Sequence, residues 1–318
     1  MNSEIEFSEI IEKITSSRKI VILTHESPDG DAIGSSLAVY HGLKQLGKEV
    51  VVVCDKFSKV FDFLDGINEI KSNVDDDYEL GICLDCADRN RLYAPNNLFN
   101  RCDYTVSVDH HVSNTYYGDS NYVEGKSPAA AQVVIKLLKR LNITITKEIG
   151  ECLMVGIITD SGGFQYSSVT AETFHFAADM LELGVSISDI YLKVFRIQTK
   201  AHFLLNRIAN DRLEFLNKNR VAFTYILMED EKKVHANTGD HEGIVDIGRN
   251  IEGVEVSIFA RESEKGFKIS FRSNSNVDVS NIAKIFDGGG HSSASGCIID
   301  LPLEEVKKVV LKEVYKRL

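Results

Sequence analysis

Acidic and imidazole side chains follow four apolar segments in the first half of the chain. They are His25, Asp29, Asp31, Asp85, Asp109, His110, His111 and Asp160. Taken singly, each aspartate has a structural explanation, because an aspartate after a strand often caps a helix or closes a turn. Asp31, for example, is placed to cap the helix pattern that follows it. Because all eight follow the ends of predicted strands or helices, a shared site is favoured over eight separate structural roles.

The chemistry predicted for these residues depends on where they meet. In a parallel α/β sheet the strand C-termini lie along one edge, which is where ligands bind. Carboxylates gathered there repel one another at neutral pH and need cations to stay ionised together. Oxygen and imidazole ligands without thiolates suit Mn²⁺ or Mg²⁺ better than structural zinc. Their number suits two metals that share a bridging carboxylate, and such a pair hydrolyses phosphoesters or phosphoanhydrides.

The elements that must position these residues are those of an α/β fold. Apolar β-type runs alternate with helix patterns, which predicts a mainly parallel sheet flanked by helices. Ser127 and Pro128 are predicted to be the N-cap and first residue of one of these helices. Strands are predicted at 19–24, 49–54, 80–84 and 104–108, and helices at 31–46, 127–141, 147–158 and 171–183.

The pattern changes twice more along the chain. Residues 188–217 have little strand character and predict two helices that connect two domains. Strand-like runs and helix patterns from about residue 220 onward predict a smaller C-terminal α/β domain. The predicted organisation is a catalytic domain at 1–187, a helical connector at 188–217 and a C-terminal domain at 218–318.

The composition limits the class of function. A net charge of −11 and a pI near 5.4 argue against a broad basic surface for long nucleic acid. The first 17 residues lack the basic and apolar regions of a signal peptide, and the longest apolar runs are too short to span a bilayer. The six cysteines lack the spacing of a disulfide framework or of a zinc site. We therefore expect a cytoplasmic protein without a membrane partner.

Two further segments have two interpretations each. Gly288, Gly289 and Gly290, followed by His291, form either a helix C-cap with a loop or a backbone site whose N–H groups face a phosphate. The predicted metal cluster favours the phosphate site. The Phe-Gln-Tyr segment at 164–166 is either a stacking surface for nucleobases or a packed loop, and both interpretations stay open.

The motifs, taken in order, resemble those of a known family. HESPDGDAIGS, LDCAD, DHH at 109–111, GIITDSGGF and GGGHSSASG resemble the DHH phosphoesterases that carry the DHH-associated C-terminal domain. The resemblance covers nearly the whole chain. Its layout is most similar to members that hydrolyse very short oligoribonucleotides and remove the 3′-phosphate from 3′-phosphoadenosine 5′-phosphate. Ser295 stands where the family pattern H-x-x-A-A-G has its second alanine, which bears on substrate preference.

The resemblance implies a role for each candidate residue. Asp109 would orient a ligating imidazole, and His111 would contact the scissile phosphate as a charge stabiliser or general acid. The implied metal ligands are His25 and Asp29 for one Mn²⁺, Asp31, His110 and Asp160 for the other, and Asp85 as the bridge. The implied grip on a nucleotide phosphate consists of Arg272, Ser273, Gly288, Gly289, Gly290 and His291, with the active site in the cleft between the domains.

The resulting expectation is a Mn²⁺-dependent hydrolase, with Mg²⁺ as the alternative metal. It would act as an exonuclease on oligoribonucleotides of about two to five residues, releasing 5′-mononucleotides, and would convert 3′-phosphoadenosine 5′-phosphate to AMP. Three alternatives are hydrolysis of cyclic or linear diadenylate, a manganese-dependent inorganic pyrophosphatase, and a nucleotide-binding protein without catalysis. The choice between a monomer and a homodimer stays open.

Overall fold

The computed structural model describes residues 3–237 and 239–318, and for residues 3–6 the backbone only. The chain divides into two compact units, Met1–Ile197 and Gln198–Leu318. Each unit has its own sheet, and the two sheets together confirm the predicted α/β class with a second, C-terminal α/β unit. Within the described residues no helix combines the length and apolarity needed to cross a membrane.

The first unit is built on a five-stranded parallel sheet with the order β2-β1-β3-β4-β5. Its central strands are rich in Val, Ile and Leu because helices or loops cover both faces. The strand order reverses between β1 and β3, which makes the carboxyl ends of these two strands a topological switch point. The strands are β1 (Lys19–Leu23), β2 (Glu49–Val53), β3 (Tyr78–Leu84), β4 (Cys102–Asp109) and β5 (Ser120–Val123).

The helices of this unit place their ends beside the switch point. They are α1 (Ser3–Ser16), α2 (Gly30–Gln45), α3 (Ala130–Arg140), α4 (Lys147–Asp160), α5 (Ala171–Glu182) and α6 (Ile187–Tyr191), the last followed by a π-helical turn (Leu192–Arg196). Helices α2 and α4 pack with their backbones almost in contact. A Cβ atom on Gly34 would lie 2.3 Å from the carbonyl oxygen of Cys152. This close approach brings the first turn of α2 next to the last turn of α4.

The helix caps differ in part from the sequence prediction. Thr170 directly precedes the helix predicted at 171–183 and caps α5, with a complete capping box. The prediction for Ser127 is wrong: α3 begins at Ala130, its N-cap Ala129 offers no side chain, and the Ser127 hydroxyl donates to the Ala129 carbonyl instead. A residue distant in sequence supplies this cap, as described below, and no local pattern encodes such a contact.

The second unit has a six-stranded mixed sheet with the order β10-β11-β9-β8-β7-β6. Among the described strands of this sheet, β7 and β8 form the only parallel pair. Helices α10 and α11 cover one face, and α7 with the segment around α9 covers the other face over β7 and β8. The strands are β6 (Glu214–Leu216), β7 (Val221–Ile226), β8 (Val256–Ser263), β9 (Gly266–Ser273), β10 (Gly289–His291) and β11 (Ala294–Ile299). The helices are α7 (Lys200–Asp211), α8 (Met228–Val234), α9 (Asp246–Arg249), α10 (Ser280–Ala283) and α11 (Leu303–Tyr315).

Two segments of this unit differ from the sequence prediction. Residues 214–216 continue a predicted helix but form β6, because the chain leaves α7 at Arg212 and pairs with β7. The glycine run is not a free loop: Gly289 and Gly290 belong to β10, which pairs with β11. Gly290 has a φ of +136°, and a Cβ atom there would lie 2.5 Å from the Ala294 carbonyl oxygen. The pairing of β10 with β11 therefore requires glycine at position 290, whether or not a ligand binds there.

The contact between α2 and α4 leads to a stability prediction. Gly34→Ala forces a methyl group against the Cys152 carbonyl, so we expect a loss of about 1–3 kcal/mol in the free energy of unfolding. Urea denaturation followed by circular dichroism measures it. Ser36→Ala is the matched control at another buried position of the same helix. Its hydroxyl has no hydrogen-bond partner among the described residues, so we expect a change within about 0.5 kcal/mol. Equal stabilities for the two variants would contradict the close packing.

Candidate metal centre

The structure brings all eight residues at the strand and helix ends together at the switch point. They form three overlapping groups, and within each group one ligand atom from every member lies within 4.8 Å of the others. The groups are His25, Asp29 and Asp85; Asp31, His110 and Asp160; and Asp85, Asp109, His110 and His111. Asp85 is shared by two groups, which gives it a central position between the other carboxylates.

Two of the aspartates also cap helices. Asp29 accepts hydrogen bonds from the amides of Asp31 (2.9 Å) and Ala32 (3.1 Å) and caps α2. The prediction that Asp31 caps α2 is therefore wrong. The Asp31 carboxylate is fully buried and accepts from the amides of Ala130 and Ala131 at the start of α3. A carboxylate has about four lone-pair positions, so capping fixes these groups and still leaves lone pairs for a cation.

Asp85 combines burial with a missing partner. Its Oδ1 atom makes no hydrogen bond to any described residue, although it lies 3.5 Å from His110 Nε2 and 3.6 Å from His111 Nδ1. Its backbone has a φ of +52°, a left-handed conformation that costs a non-glycine residue about 1–2 kcal/mol. A buried carboxylate oxygen without a partner is unfavourable. A divalent cation at this position would satisfy it, so the residues fit a metal site.

Two of the imidazoles are held by backbone carbonyl groups at their Nδ1 atoms. His110 Nδ1 lies 3.0 Å from the Ser127 carbonyl oxygen, and His25 Nδ1 lies 2.8 Å from the Glu26 carbonyl oxygen. A carbonyl can only accept, so each Nδ1 carries a proton, and in the neutral imidazole Nε2 then presents a lone pair to the site. His110 Nε2 lies 3.2 Å from Asp160 Oδ2. This tautomer is the one that a metal ligand needs.

His111 is held differently from the other two histidines. Its Nδ1 lies 2.8 Å from Oδ1 of the buried Asp109, and Asp109 Oδ2 accepts from Asn114 Nδ2 at 2.6 Å. Burial by itself raises the pKa of Asp109 and is the largest single effect, but the hydrogen bonds from His111 and Asn114 and the attraction of the two histidines together outweigh it, so the pKa is lowered. Asp109 therefore remains a carboxylate that fixes the orientation of His111.

Burial and mutual repulsion oppose the charged form of three other carboxylates, those of Asp31, Asp85 and Asp160. Burial and then repulsion between them raise the pKa values of Asp31 and Asp85, and the same causes raise the pKa of Asp160 to about 8. Burial opposes the charged form of His110, but the carboxylates of Asp85, Asp31 and Asp160 raise its pKa well above the usual value. The protein alone thus does not neutralise the cluster, whereas two divalent cations would.

In the second unit, three residues implied by the sequence or its motif lie in one row. Ala294 of β11 is paired with Arg272 of β9 on one side and with His291 of β10 on the other. Directly paired residues share a face of the sheet, so the Arg272 and His291 side chains flank a small methyl group at a separation of about 10 Å. Ser273 is buried and donates to the Ser275 carbonyl, and the amide of Gly288 donates to the Ala283 carbonyl.

The two aromatic residues of the loop after Asp160 differ in their environment. Phe164 stacks on Phe174 with ring centroids 5.4 Å apart and packs against the core, which fits the packed-loop interpretation. Tyr166 is exposed, with its ring against Gly162.

Two polar residues that sequence reasoning missed support the candidate residues. Asn114 joins Asp109 to the Cys86 carbonyl. The Asp246 carboxylate lies 3.8 Å from Arg272 Nε and 3.5 Å from Arg249 Nη1. Each acts through side-chain contacts of the folded chain, and neither has a local pattern that would reveal it.

Comparison with known proteins identifies the family. The model of the DHH family N-terminal domain matches residues 19–157, and the model of the DHHA1 domain matches residues 218–318. A relative from Thermus thermophilus, named bifunctional oligoribonuclease and PAP phosphatase NrnA, is 33% identical over 94% of this chain and 90% of its own. The chain belongs to the DHH family. It is a phosphoesterase of a metal-dependent class, and its clustered acids and imidazoles could bind the metal.

Two further similarities cover nearly the whole of this DHH-family protein. A protein from Streptococcus mutans, named probable bifunctional oligoribonuclease and PAP phosphatase NrnA, is 27% identical over 91% of this chain and 92% of its own. A crystal structure of an exopolyphosphatase-related protein from Bacteroides fragilis superposes with a TM-score of 0.90 at 28% identity. It covers 98% of this chain and 96% of that one. Both similarities therefore extend over the two units of this chain.

The raised pKa values predict how the metal-free DHH protein responds to pH. A carboxyl group whose pKa is raised on folding binds more protons in the folded state, so stability is lost as the pH rises. For Asp160 the window runs from its ordinary pKa of 3.8 to about 8, and His110 acts in the same direction. In EDTA we expect the melting temperature to fall by several degrees between pH 6 and pH 9.

Added Mn²⁺ should reverse this loss, because only deprotonated ligands bind it. Thermal denaturation with EDTA or Mn²⁺ at each pH measures both effects. Asp160→Asn is the control and should show a smaller pH dependence in EDTA. A melting temperature in EDTA that is constant over this range would contradict the charge crowding.

Proposed function

We propose that this protein hydrolyses very short oligoribonucleotides to 5′-mononucleotides, and 3′-phosphoadenosine 5′-phosphate to AMP, with two Mn²⁺ ions. The observation that carries the proposal is the position of Asp85 between two ligand groups. It belongs to one group with His25 and Asp29, and its Oδ1 lies 3.5 Å from Nε2 of His110, which forms the other group with Asp31 and Asp160. The names of the Thermus and Streptococcus relatives give the substrate class. The net charge of −11 agrees with a small substrate, because a long strand would need a basic groove.

The metal roles follow from the two groups. We assign His25 and Asp29 to one ion, Asp31, His110 and Asp160 to the other, and Asp85 to both. When bound, such a pair activates a water molecule and stabilises the attacking and leaving oxygens of an in-line displacement at phosphorus. The protein holds its ligands ready through the caps on α2 and α3 and through the carbonyl groups behind the imidazoles.

His111 is assigned to the substrate. Asp109 holds its Nδ1 atom, and we assign its Nε2 atom to the scissile phosphate. A histidine fixed by a buried carboxylate can donate a proton to the leaving oxygen or stabilise the charge that develops on the phosphate. Asn114 completes this chain of contacts by binding the second oxygen of Asp109.

A phosphate group of the bound nucleotide is assigned to the row of Arg272, Ala294 and His291 in the second unit. Arg272 and His291 flank Ala294, so a phosphate placed over the methyl group would reach donors on both sides. Asp246 lies beside the Arg272 guanidinium and limits the orientations that it can adopt. Ser273 and the backbone of Gly288, Gly289 and Gly290 then shape this surface, since the Ser273 hydroxyl and the Gly288 amide have partners within the protein.

A digestion series tests the proposed function. Labelled oligoribonucleotides of two to about twenty-five residues are incubated with the full chain in Mn²⁺ and in Mg²⁺. 3′-Phosphoadenosine 5′-phosphate, cyclic diadenylate and pyrophosphate are assayed in parallel. We expect the shortest oligonucleotides to be cleaved fastest, with mononucleotide products and release of phosphate from the bisphosphonucleotide. Preferential cleavage of the cyclic dinucleotide or of pyrophosphate would overturn the ranking, and nucleotide binding without any turnover would overturn catalysis.

The assignment also predicts two classes of variant. Asp85→Ala and His110→Ala should lower kcat on every substrate by about a thousand-fold or more, because all substrates share the metals. Arg272→Ala and His291→Ala should instead raise KM about ten-fold or more, because each removes a charge-assisted hydrogen bond to phosphate. Steady-state kinetics on a dinucleotide and on 3′-phosphoadenosine 5′-phosphate separate the two parameters.

Lys265→Ala is the charge-matched control for Arg272, since Lys265 is an exposed cation in the turn between β8 and β9. It should change neither parameter. If all four variants lost kcat at an unchanged KM, the division between catalysis and substrate binding would be wrong.

A further inference from the structure

Tyr116 combines two unfavourable features beside the metal centre. Its backbone has a φ of +54°, a left-handed conformation that is unusual for a bulky side chain. Its side chain belongs to no part of the core, and 61% of the residue is exposed to solvent. Packing therefore does not compensate the strain. A local strain of this kind near a catalytic site is a reason to look for a function of the residue.

The segment that carries Tyr116 is fixed to the catalytic loops. The Tyr116 amide donates to Asn114 Oδ1 at 2.7 Å, and Asn114 Nδ2 donates to Asp109 Oδ2 at 2.6 Å. Next to it, the Thr115 amide donates to the Ala87 carbonyl at 2.9 Å. The strained residue is thus tied to the loop after β4 and to the loop after β3. Only the side chains of Asn114 and Asp109 separate its backbone from the His111 ring.

We propose that the Tyr116 ring is a stacking surface for the nucleobase of the nucleotide whose phosphate is hydrolysed. This inference rests on the proposed function, because it takes a ribonucleotide as the substrate. An exposed aromatic ring on a backbone that is fixed by a hydrogen bond suits any base, since every base has a flat π-face. Val112, which is 84% exposed, adds a second uncovered apolar side chain to the same loop. Stacking of this kind binds purines and pyrimidines alike.

The other aromatic candidates are engaged with the protein. Phe164 is stacked on Phe174 and packed against the core. The Tyr166 ring lies against Gly162, where an added Cβ atom would come within 2.5 Å of the ring. Tyr116 has no ring contact of this kind among the described residues. Its position in the short chain of hydrogen bonds to His111 distinguishes it from the exposed aromatics elsewhere.

The test compares a dinucleotide with two abasic analogues, each of which lacks the base of one of its two residues. For Tyr116→Ala we expect KM for the dinucleotide to rise about ten-fold or more, because stacking contributes roughly 1–3 kcal/mol per base, with kcat nearly unchanged. Tyr116→Phe should behave as the wild type. For the analogue that lacks the stacked base, wild type and Tyr116→Ala should have the same KM, and that analogue identifies the nucleotide bound.

Two further variants control for folding. Tyr116→Gly removes the ring and suits the left-handed backbone, so its melting temperature should not fall below that of the wild type, while its KM rises as in Tyr116→Ala. Tyr315→Ala removes an exposed tyrosine from α11 of the second unit and should leave KM unchanged.

Each result of these assays has a defined meaning. An unchanged KM in Tyr116→Ala, with an active wild type, overturns the stacking role and leaves the proposed function intact. An equal loss of activity on the dinucleotide and both abasic analogues also overturns it. The same holds if Tyr116→Ala alters the oligomeric state in analytical ultracentrifugation, because the ring would then serve association. A wild type that cleaves no dinucleotide overturns the proposed function and this inference together.

Discussion

The burial of Asp31 is the constraint on which the first unit depends. Its carboxylate is withdrawn from water, bonded to the first amides of α3 and to the hydroxyl of Ser35, and placed against Gly156 of α4. One charged group therefore sets the relative position of three helices. A charge buried in this way is tolerated only if it is well compensated. The helix terminus provides part of the compensation, and a cation would provide the rest.

The fold and the clustering of the acids and imidazoles could largely be predicted because both depend on short-range patterns. Strand-like runs ending in acid place Asp85 and Asp109 at one edge of a parallel sheet, whatever the details of packing. The helix caps could not be predicted in the same way. Ser127 has the composition of an N-cap, yet Asp31 caps α3 from 99 residues away. A local rule cannot foresee a tertiary competitor for the same amides.

The second unit shows a different limit of sequence reasoning. The glycines at 288–290 permit several backbone conformations, so their composition indicates close approach without saying to what. The structure shows that β11 is one neighbour, since Gly290 lies against Ala294. Asp246 and Asn114 escaped notice for the same reason as the α3 cap. Each supports another side chain, Asn114 that of Asp109 and Asp246 that of Arg272, through a contact that only the folded structure shows.

The long reach of Asp31 also bears on how the first unit folds. The hydrogen bonds from Ala130 and Ala131 to Asp31 close loops of about 100 residues, and such contacts form late because loop closure is entropically unfavourable. Asp160 is more distant still from His25. The ligands at 25–31 are close together in sequence, but the complete set for either proposed ion also needs residues from distant segments and forms only as the chain folds. We expect the acids to come together first as a partly protonated cluster, so that the ion enters a finished pocket and the protons leave as it binds.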